Sequence, residues 1–83
     1  MKSEAAKTQE YLDKFAAAEG FYEKGRVAAE LYAYLHGVSP AGVKAEILRC
    51  AAQDIGSDLP DEDRKEMDRG GIAWCDEQVE TLQ

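Results

Sequence analysis

Apolar residues recur at three- and four-residue intervals along almost the whole chain, and no run alternates apolar with polar in the manner of a strand. That spacing admits helices and little else. Valine, isoleucine and threonine, the side chains that suit a pleated surface, are also scarce. The fold expected is therefore all-α, a small antiparallel bundle of about four helices forming a single domain over residues 1–83.

The punctuation between the helices is readable. Ser3 is a plausible N-cap for a first helix whose Thr8, Tyr11, Leu12, Phe15 and Ala18 share a stripe. Gly20 either stops that helix or lets the pattern run on through Phe21 and Tyr22. A second helix reads from Phe21 to His36, with Val27, Ala28, Leu31, Tyr32 and Leu35 inward, and Gly37 is a natural left-handed stop. Ser39-Pro40 then supplies a capping hydroxyl followed by proline at the first helical position, where a missing N–H costs nothing. Val43, Ile47, Cys50, Ala51 and Ile55 continue this third helix until Gly56. The last segment begins near Leu59-Pro60-Asp61 and places Met67, Gly71, Trp74, Cys75, Gln78, Val79 and Leu82 on one stripe. Gly70-Gly71 interrupts it at about 1 kcal/mol per glycine in a helix interior. Either the helix breaks there or another backbone packs close against it.

Much of the apolar share is alanine, so the core is thin for one copy, and dimerisation or docking on a partner would offset that thinness. No stretch approaches the roughly 20 apolar residues that span a bilayer. Met1-Lys2-Ser3-Glu4 lacks the apolar run of a signal peptide, so a cytoplasmic location is expected. Cys50 and Cys75 could pair, but without an export signal they are expected as reduced thiols, each a small hydrophobe among apolar neighbours.

Charge is distributed unevenly. Residues 1–53 hold seven acids and seven bases, whereas 54–83 hold ten acids and three bases, so the last segment carries the whole net charge of −7. Such a field attracts a basic partner from a distance and repels phosphates, which disfavours direct nucleic-acid binding. Asp58, Asp61, Glu62, Asp63, Glu66 and Asp68 form the candidate protein-binding patch, with Asp54, Asp76, Glu77 and Glu80 as its extension. The patch could imitate nucleic-acid phosphates in the groove of another protein. The plainer reading is a solvated first helical turn, where the dipole favours anions, with Arg64, Lys65 and Arg69 pairing some of the acids. A calcium loop is excluded. Counting from Asp54 or from Asp61, the sixth position is Leu59 or Glu66 and the twelfth Lys65 or Ile72, where glycine and glutamate are required.

Chemistry on the chain itself has little to work with. His36 is the sole histidine and sits at an expected helix end, where it can cap carbonyls. Neither Cys50 nor Cys75 stands at a spacing that would make it a nucleophile beside that histidine, or a zinc ligand with it. The chain is therefore read as a non-enzyme without metal or cofactor. Six of its seven aromatic residues lie between Tyr11 and Tyr34. Tyr32 and Tyr34 are two apart, so they point to nearly opposite sides of a helix. One of them, with Phe21 or Tyr22, is a candidate exposed anchor at a protein interface; the alternative is a tyrosine lying flat on the surface with its hydroxyl in water.

The stretch Asp54-Ile55-Gly56-Ser57-Asp58-Leu59 resembles the Asp-Ser-Leu of acyl carrier proteins, which are also short, acidic and four-helical, with serine and aspartate transposed. The resemblance implies a phosphopantetheine attachment at Ser57, yet it falls with a single helix after it where that family has most of its helices. It ranks third. First is a helical inhibitor or adaptor that docks its acidic third on a basic surface of a nucleic-acid-handling protein, as phage-type antagonists of restriction or CRISPR systems do. Second is a self-assembling helical scaffold or subunit, a homodimer whose acids keep it soluble.

Overall fold

A computed structural model describes residues 4–52 and 59–82 of the chain. Four helices follow one another, α1 (Glu4–Ala17), α2 (Phe21–His36), α3 (Pro40–Ala52) and α4 (Asp61–Leu82), and the described residues contain no strand. The all-helical bundle expected from the periodicity is the architecture found. Ser3, Asp54, Ile55, Gly56, Ser57 and Asp58 lie outside the described residues, and with them the capping role of Ser3, the stop at Gly56 and the Ser57 stretch.

The helix borders follow local chemistry. α1 ends at Ala17, and Lys24 of α2 reaches back to donate a 2.8 Å hydrogen bond to the Phe15 carbonyl, satisfying one of its terminal acceptors. Gly20, extended, caps the start of α2. At the other end Gly37 adopts φ 61°, a left-handed conformation that costs a side-chain-bearing residue about 1–2 kcal/mol, and its N–H and that of Val38 both point to the Ala33 carbonyl. The Ser39 hydroxyl then accepts from the Gly42 N–H at 3.2 Å, and Pro40 opens α3.

α4 is the organising element. α2 and α3 both pack on it, while α1 packs on α2 alone among the described residues. The helix does not break at Gly70-Gly71. A Cβ at Gly70 would overlap the Tyr22 carbonyl and stand 2.8 Å from its carbon, and one at Gly25 would stand 2.8 Å from the Met67 carbonyl carbon. The backbones of α2 and α4 therefore touch, and only glycine fits on both sides. Gly71 sits at the same crossing, near Ala29 and Ile47.

This crossing corrects the inward stripe expected of α2. The buried residues are Gly25 and Ala29; Val27, Ala28 and Leu31 are half-buried, and Tyr32 and Leu35 are exposed. Leu12 of α1 is likewise exposed. Periodicity weighs side chains by hydrophobicity, whereas a close helix crossing selects for small size. The buried apolar core is Ala29, Val43, Trp74 and Cys75, with Ala33, Val38 and Ile47 packed against it. Cys50 and Cys75 are free thiols. No helix is long and apolar enough to cross a membrane, among the described residues.

Candidate interaction surfaces

Within the helix limits, α4 carries eight acids and three bases, a balance of −5, while α1, α2 and α3 sum to zero. Its stripe of Met67, Gly71, Trp74 and Cys75 faces the other helices, so its charges are carried on the outside and along the flanks. Asp61, Glu62, Lys65, Arg69, Asp76, Glu77 and Glu80 are exposed.

Much of this charge is partnered within the molecule. Asp61 pairs with Arg64 at 3.6 Å and Glu66 with Arg69, each three residues apart on the helix. Further along, Glu77 accepts from Arg26 of α2 at 2.6 Å, and Asp76 from Lys44 of α3 at 2.8 Å. These two pairs tie the flanking helices to α4; being exposed, each is worth about 0.2–1 kcal/mol. The bond to Glu77 raises the Arg26 guanidinium further above its usual range. Among the described residues Glu62, Asp63 and Glu80 make no ion pair. Of these, Glu62 and Glu80 are exposed and Asp63 is half-buried.

The expected acidic patch is thus divided. Asp61, Glu62, Asp63 and Glu66 lie along the first turns of α4. Asp68 instead turns to a groove between α2, α3 and α4. Burial pushes its carboxyl above the ordinary 3.8, more strongly than Arg64 pulls it down.

That groove encloses about 320 Å³ and is mostly apolar. Ala28 and Tyr32 form the α2 wall, Ile47, Cys50 and Ala51 the α3 wall, and Gly71 and Met67 lie on the α4 side. Glu46, Arg64 and Asp68 are its charged members. Glu46 is bound by Arg49, which holds its carboxyl below the usual carboxylate range.

The aromatic residues are divided as well. Tyr34 faces α1, its ring 5.8 Å from that of Tyr11 and covered by Lys7 at 4.5 Å, so it is engaged within the chain. Tyr32, two residues earlier, is exposed on the groove rim with its ring 4.4 Å from that of His36. Tyr22 is exposed beside the glycine crossing, and Phe21 is half-buried at the start of α2. Of the candidate residues, Tyr32 and Asp68 both line the groove; sequence spacing gives no sign of that shared placement. Leu35 and Leu48, exposed at 45 % and 50 %, were not among the candidates. The signal for Leu48 was present: Ala41, Ala45, Leu48 and Ala52 recur at helical spacing and all face solvent.

His36, Cys50 and Cys75 do not assemble into a site. Cys75 is fully buried, and its thiol is pushed up by burial and by Asp76. Among the described residues no three His, Cys, Asp or Glu side chains converge as a metal site would require. Comparison with protein-family models, with curated proteins and with solved structures finds no match to this chain.

Proposed function

We propose that this protein is a non-enzymatic binding module, an inhibitor or adaptor that docks the outer face of α4 on a basic surface of another protein. The observation that carries the reading is the concentration of a −5 balance on one surface helix while the other three sum to zero. A one-sided field of this kind steers an oppositely charged partner and sets its orientation. A partner that handles nucleic acid offers such a basic surface, and the class of phage-type antagonists works in this way.

Glu62, Asp63 and Glu80 are the carboxylates to test, because Asp61 and Glu66 are already neutralised by Arg64 and Arg69. The experiment is capture from lysate at low salt, identification of the bound protein, and titration of the purified pair. Reversal of Glu62, Asp63 and Glu80 to lysine should weaken the complex at least tenfold, about 1.4 kcal/mol. Raising salt should weaken it too, because exposed charges are screened within about 10 Å at 0.1 M. A complex indifferent to both changes would rule out docking through α4.

A further inference from the structure

We draw no further inference here: the strongest candidate, the apolar groove between α2, α3 and α4 lined by Tyr32, Ile47, Cys50 and Asp68, carries nothing because nothing in the structure shows what covers it.

Discussion

Gly25 and Gly70 decide how near α2 and α4 can come. A methyl at Gly25 meets the Met67 backbone rather than a side chain that could rotate away, so the helices must separate to admit it. Gly25→Ala gains about 1 kcal/mol of helix propensity and loses more than that in overpacking, for a net loss of about 2 kcal/mol. Urea unfolding followed by the fluorescence of buried Trp74 measures it. Gly42→Ala is the contrast. Its Cβ would meet only Val38 Cγ1 at 2.6 Å and Ser39 Oγ at 3.4 Å, side-chain atoms that can yield, so a smaller loss is expected. Asp68 gives a second prediction at this scale. Its folded pKa lies above the ordinary 3.8, so between the two values the folded state holds the extra proton, and this group's contribution to stability falls as pH rises. Asp68→Asn should therefore stabilise the protein at pH 7, and the increment should vanish below about pH 3.8. Urea titrations of both chains at the two pH values check the sign; an equal increment at both would exclude a charge effect.

Among the elements, α1 is the least secured. It contributes no fully buried residue and rests on α2 alone among the described residues. What holds it is half-exposed: the Tyr11–Tyr34 ring contact, Lys7 over Tyr34, and Lys24 on the Phe15 carbonyl. Glu30 also binds the Tyr11 hydroxyl, which burial and that carboxylate keep above its usual range. Segments with few buried contacts open at lower free energy than the core. Amide exchange should accordingly release α1 at least about tenfold faster than the centres of α2 and α4, measured by mass spectrometry on peptides; uniform exchange would place α1 in the same cooperative unit. α4 is the opposite case. It carries Trp74 and Cys75 in the core, meets α2 through glycine, and is flanked by the Arg26–Glu77 and Lys44–Asp76 pairs.

At the scale of the whole molecule, acidity and apolar exposure are separated. The carboxylates gather on α4, while Tyr32, Leu35 and Leu48 are exposed on α2 and α3. The charged contact proposed through α4 should consequently weaken as salt rises. The acidic patch was legible as composition but not as a site. Asp61 and Glu66 meet arginines three residues on, and Asp68 turns into the groove, whereas Glu62 remains exposed and Asp63 half-buried.

The order of residues by itself determined the four helices, the left-handed stop at Gly37, the Ser39-Pro40 start and the loading of charge onto the last element, because each depends on neighbours within a turn or two. Tertiary structure alone decided which side of α2 is buried, why Gly70 and Gly71 sit in an unbroken helix, and that Tyr32 and Asp68 line one groove. Those depend on how closely two helices cross, a distance set by the smallest residues on each. Hydrophobic periodicity assigns such residues almost no weight, so it placed the stripe of α2 on Leu31 and Leu35 when the crossing had been claimed by Gly25 and Ala29.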